Sequence, residues 1–239
     1  MYANVDDPRV LNVFTDASLR RISNTETWVG SGTIIVNNNT IIKEDFRVYK
    51  NQTSNYAELK AIKLGIDLAH DICRQNPSIM IINLFSDSQI SIFGIRDRIF
   101  NWRIINNEMV GYGNKVIANQ DIILEIVQLV LRSNIFIRFF HQKGHTDQCN
   151  LYKAKKAFII SNRCVGANEL NVDFDFIKFI NRYNQMVDNS SRKILYQQES
   201  INNIITPMTF CIQNSQHQII MEKYKNQING IYGGYLNDN

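Results

Sequence analysis

The chain has 239 residues, 44% apolar and 20% charged, which is enough material for one sizeable core and excludes a disordered chain. Its net charge of +4 permits a polyanionic partner without demanding one. No stretch approaches the roughly 20 apolar residues of a membrane span, and the segment from Met1 to Arg9 lacks an apolar signal region, so an intracellular, non-secreted protein with no membrane partner is expected.

Val10 to Thr15 alternates, predicting a first strand that closes at Asp16. Trp28 to Val36 and Ile41 to Tyr49 predict two more, joined by a hairpin turn at Asn37-Asn38-Asn39-Thr40. Between Asn55 and Arg74, Leu59, Ile62, Ile66 and Ala69 recur at helical spacing. Beyond Pro77, Ile79 to Phe85 is an almost continuous apolar run, as in a strand covered on both faces. Ser88 to Arg98 predicts a short helix N-capped by Ser88, and Asp121 to Arg132 a stronger one. Ile135 to Phe140 predicts a fifth strand, and Phe174 to Tyr196 a long last helix. The order β-β-β-α-β-α-α-β-α predicts an α/β fold: a five-stranded mixed sheet, three antiparallel strands and then parallel ones, with helices on both faces. Residues 1–8 read as an N-terminal segment, 9–196 as one domain, and 197–239 as an extension whose weak periodicity assigns no structure.

Four carboxylates stand out. Asp16 and Asp87 close apolar strands, while Glu58 and Asp188 fall on helical patterns. A carboxylate at the end of a buried strand is costly unless a cation satisfies it. Four that converged would repel one another, and a pair of divalent metal ions is their natural partner. Taken singly, each has a plainer reading: Asp16 as a turn residue, Glu58 as a complement to the helix dipole, Asp87 as a helix cap, Asp188 as a solvated helix residue. Cys73, Cys149, Cys164 and Cys211 form no paired motif and read as reduced thiols. A zinc site from His141, His145, Cys149 and Cys164 is disfavoured by its loose spacing.

The local strings resemble those of type 1 ribonuclease H. They are Thr15-Asp16-Ala17-Ser18, Asn55-Tyr56-Ala57-Glu58-Leu59, Ser86-Asp87-Ser88-Gln89, Lys143-Gly144-His145 and Asn184 to Asp188, in the family's order and on the matching elements, over roughly Val10 to Leu195. The resemblance implies a ribonuclease H-like fold and an endonuclease that cuts the RNA strand of RNA–DNA hybrids during replication, leaving 5′-phosphate and 3′-hydroxyl ends. It implies two Mg²⁺ ions, with Mn²⁺ as a substitute, held by Asp16, Glu58, Asp87 and Asp188, with His145 assisting proton movement or product release. It places Ser54, Asn55, Gln89, Trp102, Arg103 and Asn184 in substrate binding.

The chain departs from that pattern in three places. The segment between Arg96 and Lys115, where bacterial relatives carry a lysine-rich handle, has Arg96, Arg98, Arg103 and Lys115 against Asp97 and Glu108. An insertion of about residues 148–172 separates His145 from Asp188, so Asp147, Asp173 and Asp175 stand as rivals for the fourth carboxylate. That insertion carries Lys153, Lys155, Lys156 and Arg163 with Tyr152 and Phe158, read either as a solvated surface or as a phosphate-tracking run. Ala17 replaces the family's glycine. Two other functions remain open: another nuclease of the same fold, such as a junction resolvase or a double-stranded RNA nuclease, and a non-catalytic nucleic-acid-binding module.

Overall fold

The computed structural model describes residues 5–144, 150–163, 172–197 and 217–232. Its main sheet comprises β1 (Val10–Arg21), β2 (Thr27–Asn37), β3 (Thr40–Lys50), β4 (Ile81–Ser86) and β7 (Phe136–His141), in the order β3-β2-β1-β4-β7. The first three strands pair antiparallel, and β1, β4 and β7 pair parallel, as the element order implies. The β2–β3 connection is shorter than expected. Only Asn38 and Asn39 turn the chain, both at positive φ, in the two-residue hairpin that matches strand twist.

Alternation along the strands divides the core. Leu11, Val13, Leu84, Ile137 and Phe139 face one side, where they meet α1 (Ser54–Gln75), α3 (Gln120–Arg132) and α6 (His217–Tyr232). Phe14, Ile34, Phe85 and Phe140 face the other, against α4 (Leu151–Ser161) and α5 (Phe174–Gln197). On that face Phe14 stacks on Phe85 and on Tyr183 of α5, with ring centroids 5.0 and 5.3 Å apart.

Four elements go beyond the expected order. A small antiparallel hairpin, β5 (Arg103–Ile105) with β6 (Glu108–Val110), follows α2 (Gln89–Arg96) and turns on Asn106 and Asn107. The insertion contains α4, which buries Ala154 and Phe158, exposes Lys153 and Lys156, and lays Lys155 over the Phe174 ring. The extension contains α6, whose Tyr224 is fully buried and donates its hydroxyl to the Ile95 carbonyl at 3.2 Å. Among the described residues no helix is long and apolar enough to cross a membrane.

Candidate active site

Strand pairing brings two of the acids together. The parallel pairing of β1 with β4 stops at Thr15 and Ser86, while the antiparallel pairing of β1 with β2 continues to Arg21. Asp16 is therefore not the last residue of its strand, as expected; it sits where β4 ends and leaves that edge of β1 uncovered. Asp87 is the first residue beyond β4. Both lie at the carboxyl ends of parallel strands, where an open α/β sheet leaves a crevice. Ser88 supplies the cap of α2, accepting from the Ser91 N–H, so the plainer reading of Asp87 as that cap is excluded.

Glu58 arrives from α1. Thr53 caps this helix by accepting from the Tyr56 N–H at 3.1 Å. The Ser31 hydroxyl of β2 donates to the Ala57 carbonyl at 2.8 Å, which fixes the helix against the sheet one residue before Glu58.

One oxygen from each of Asp16, Glu58 and Asp87 lies within 4.8 Å of the other two. Asp16 is 3% exposed and Glu58 8%, and Asp16 Oδ2 and Glu58 Oε2 are buried without a hydrogen-bond partner. Burial, then the neighbouring charges of Asp87 and Asp188, pushes the Asp16 carboxyl up to about 8. Glu58 is pushed well above the usual carboxylate range by burial, then by Asp16 and Asp87. Buried oxygens that lack hydrogen bonds and repel one another fit a hard divalent cation, the partner that would relieve both conditions.

Asp188 lies outside that trio but lines the same cleft of about 440 Å³. Arg192, one helical turn on, donates to its Oδ1 at 2.8 Å. The rivals are occupied elsewhere: Asp173 accepts from the Phe176 N–H at the start of α5, and the exposed Asp175 pairs with Lys178. Asp147 lies outside the described residues.

The loop after β7 crosses the same place. A β-carbon on Gly144 would collide with the Asp87 carboxylate, which would have to turn aside, so glycine lets that backbone approach leave the carboxylate in place. His145 follows it in sequence and lies outside the described residues, as do Cys149 and Cys164. His141, imagined above in a zinc site, has both ring nitrogens engaged: Nε2 lies 3.2 Å from the Asp87 carbonyl, and Nδ1 lies 2.8 Å from the Ser161 hydroxyl. A carbonyl only accepts, so Nε2 carries the hydrogen and Ser161 donates to Nδ1. Burial lowers the pKa of this imidazole, favouring the neutral form that the pairing needs.

The expected substrate residues divide. Ser54 and Gln89 are exposed at the starts of α1 and α2, and Asn55 joins the two helices by accepting from the Ser91 hydroxyl at 3.4 Å. Arg103 is exposed on the hairpin, where it donates to Asn114 at 3.1 Å. Trp102 and Asn184 are not at the surface. The Trp102 ring, 9% exposed, lies against Gly94 and Gly111 in the main core, and Asn184 is 6% exposed within α5. The two glycines leave the ring its slot in the core.

Arg20, Arg192 and Tyr196 were not anticipated from the sequence, although all three line the cleft with the carboxylates. The four-residue step from Asp188 to Arg192 was the legible signal for one of them.

The RNase H family model matches residues 8–155, more than half of the chain, and the chain belongs to the RNase H family of nucleases. Its fold is similar to that of a foamy viral protease–reverse transcriptase solved with an RNA/DNA hybrid: TM-score 0.49 and 20% identity, over 69% of this chain and 21% of that one. The chain thus spans about a fifth of that protein's length. It is also similar to LC11-RNase H1 in complex with an RNA/DNA hybrid, with 13% identity, TM-score 0.41, and 64% and 96% of the two chains covered. RNase H1 of the halophilic archaeon Halobacterium salinarum NRC-1 gives 15% identity, TM-score 0.38, and 62% and 93% coverage. No curated protein matches the chain.

Proposed function

We propose that the protein is a metal-dependent endoribonuclease that cuts the RNA strand of an RNA–DNA hybrid and leaves 5′-phosphate and 3′-hydroxyl ends. The observation that carries this reading is the knot of buried Asp16 and Glu58 with half-buried Asp87, one oxygen of each lying within 4.8 Å of the others. With Asp188 they would hold two Mg²⁺ ions, or Mn²⁺ in their place. Such a pair, when bound, polarises the scissile phosphate and stabilises the attacking and departing oxygens of an in-line displacement.

The chain's own residues do the rest. Burial of Asp16 and Glu58 keeps water from satisfying their oxygens and so preserves their demand for cations. Gly144 brings the loop backbone against Asp87, and His145, next in sequence, takes the family's supporting role in proton movement or product release. Ser54, Asn55 and Gln89 offer a polar edge of the kind that reads 2′-hydroxyl groups across a wide minor groove. Arg103 on the hairpin offers a phosphate contact.

The test is cleavage of a labelled hybrid by purified protein with Mg²⁺, beside duplex DNA, double-stranded RNA and a four-way junction. Hybrid cleavage with 5′-phosphate products is expected. An intact hybrid beside an active control enzyme would remove the proposal, and cutting of the junction alone would favour a resolvase.

A further inference from the structure

The cleft changes sign along its length. Strand β1 alternates, so Asp16, Ser18 and Arg20 project to the same face, and all three line the cleft. Helix α5 matches this with Asp188, Arg192 and Tyr196, each one turn from the last and all in the same cleft. The two elements are tied at both ends. Ser191 donates to the Asp16 carbonyl at 3.4 Å, and Arg20 Nη1 donates to the Leu195 carbonyl at 3.2 Å. Each stripe runs from a carboxylate to a cation or an aromatic ring.

We propose that Arg20 and Tyr196 form an anion subsite of this cleft, which takes a backbone phosphate of bound nucleic acid a few nucleotides from the phosphate being cut. This inference rests on the nuclease reading above and adds to it a site of its own. The Arg20 guanidinium lies over the Tyr196 ring, its central carbon 4.4 Å from the ring centroid. Stacking and the bond to Leu195 fix the plane of the guanidinium, and a fixed fork of donors suits phosphate better than a mobile ammonium does.

The plainer account makes Arg20 a counter-charge for the carboxylates. Among the described residues the arginine that contacts Asp188 is Arg192, at 2.8 Å. Arg20 is four residues beyond Asp16, about 13 Å along an extended strand. Phosphates of one strand recur about every 3.4 Å of helix axis and farther apart along the strand itself, so that span places the subsite beyond the phosphate next to the cut. Tyr196 is 65% exposed and leaves an aromatic surface beside the arginine for a sugar or base.

The experiment measures binding of a labelled RNA–DNA hybrid by fluorescence anisotropy across a KCl series. It uses the cleavage-silent Asp16→Asn protein, alone and with Arg20→Gln, Arg20→Lys or Tyr196→Ala added. Arg20→Gln is expected to weaken binding about tenfold at low salt and to lower the salt slope by about one. Arg20→Lys should keep the slope and lose part of the affinity, and Tyr196→Ala should weaken binding with the slope unchanged. An Arg20→Gln protein that melts like its parent and binds with the same affinity and slope would overturn the subsite. The nuclease reading is scored separately, by wild-type cleavage of the hybrid with Mg²⁺. Cleavage without a change in slope removes only the subsite, and a change in slope without wild-type cleavage removes only the nuclease reading.

Discussion

The Ser191 hydroxyl donates to the main-chain carbonyl of Asp16 at 3.4 Å, across the seam between the last long helix and the central strand. Ser191 lies three residues after Asp188, so this bond sets the height at which the fourth carboxylate meets the first. Such a close approach needs bare backbone on the neighbouring strand. Gly30 and Gly32 of β2 provide it: a β-carbon on Gly30 would lie 2.6 Å from the Ser191 carbonyl, and one on Gly32 would lie 2.7 Å from the Phe46 ring and overlap the Ser191 hydroxyl. Gly32→Ala is therefore expected to push α5 outward, costing about 1–3 kcal/mol in urea unfolding. It should also slow Mg²⁺-dependent cleavage by more than Ser191→Ala does, because Ser191→Ala loses one weak bond and leaves the helix in place. Equal and small effects from the two variants would show that helix height does not govern the site.

The carboxylate knot makes a signed prediction about pH. In the metal-free protein the Asp16 carboxyl is raised to about 8 from an ordinary 3.8. The unfolded chain gives up that proton near the ordinary value, and the folded chain keeps it almost to pH 8. Between these limits the native state binds more protons than the unfolded state. Stability therefore falls as pH rises from about 4 to about 8, by up to about 1.4 kcal/mol per pH unit for one proton, and then levels. Glu58 is shifted in the same direction and adds to the slope. Asp16→Asn keeps the shape without the charge, so it should flatten the slope, raise the metal-free melting temperature at about pH 9, and abolish cleavage. Mg²⁺ affinity should rise with pH over the same range, because bound metal requires the ionised oxygens. Urea unfolding in chelator at several pH values checks the first claim, and calorimetry checks the last.

The sequence showed the sheet more clearly than the attachments, for a physical reason. Residues of β1 and β4 are buried on both faces, so their apolar runs are dense, and α1 shows its stripe over 22 residues. Helix α4 needs only Ala154 and Phe158 to dock, and three lysines among eleven residues made it read as a charge run. The β5–β6 hairpin has three-residue strands, too short to alternate visibly, although Asn106-Asn107 is a strong turn signal. Three of the four acids stood in recognisable strings, whereas Arg20 and Tyr196 are 176 positions apart and meet only after folding. Trp102 shows the converse: its string resembles a substrate-contacting handle but leaves core packing equally open, and the slot beside Gly94 and Gly111 is legible only in three dimensions.

The insertion is bolted to the sheet at one end. Arg96, 4% exposed, donates to the Phe139 carbonyl, to Asn162 Oδ1 and to the Ser161 carbonyl at 3.2, 2.8 and 3.0 Å, while pairing with Asp97. Asn162 completes the joint by bonding the main chain of His141 in both directions. Arg96→Ala removes a charged donor from each of these acceptors and leaves Asp97 without its Arg96 partner, so a loss of about 3 kcal/mol is expected. Arg96→Lys should recover little of it, since one ammonium cannot serve that fork. Limited proteolysis supplies a local readout, with cleavage within residues 150–163 accelerating in both variants. Unchanged digestion would mean that the packing of Phe158 alone holds α4.

The C-terminal helix makes the last prediction, because it determines whether residues 217–232 belong to the domain. Tyr224 and Ile228 are fully buried and Met221 is 3% exposed, on the stripe that faces α3 and the segment before the hairpin. Besides the Tyr224 bond to Ile95, Lys225 Nζ donates to the Trp102 carbonyl at 3.0 Å, and Gln227 donates to the Val130 carbonyl at 3.4 Å. The helix thus grips the last turn of α2, the residue before the hairpin and the helix α3, and so steadies the base of the hairpin that carries Arg103. If it is part of the cooperative unit, Tyr224→Ala creates a large cavity and lowers global stability by about 3–5 kcal/mol, while Tyr224→Phe loses only the hydroxyl bond, about 1 kcal/mol. A detachable appendage would behave differently: Tyr224→Ala would free the helix with little change in the main urea transition, and amide exchange would rise in residues 217–232 alone. A single transition that shifts as a whole, with exchange rising also in residues 95–110, is the expected result.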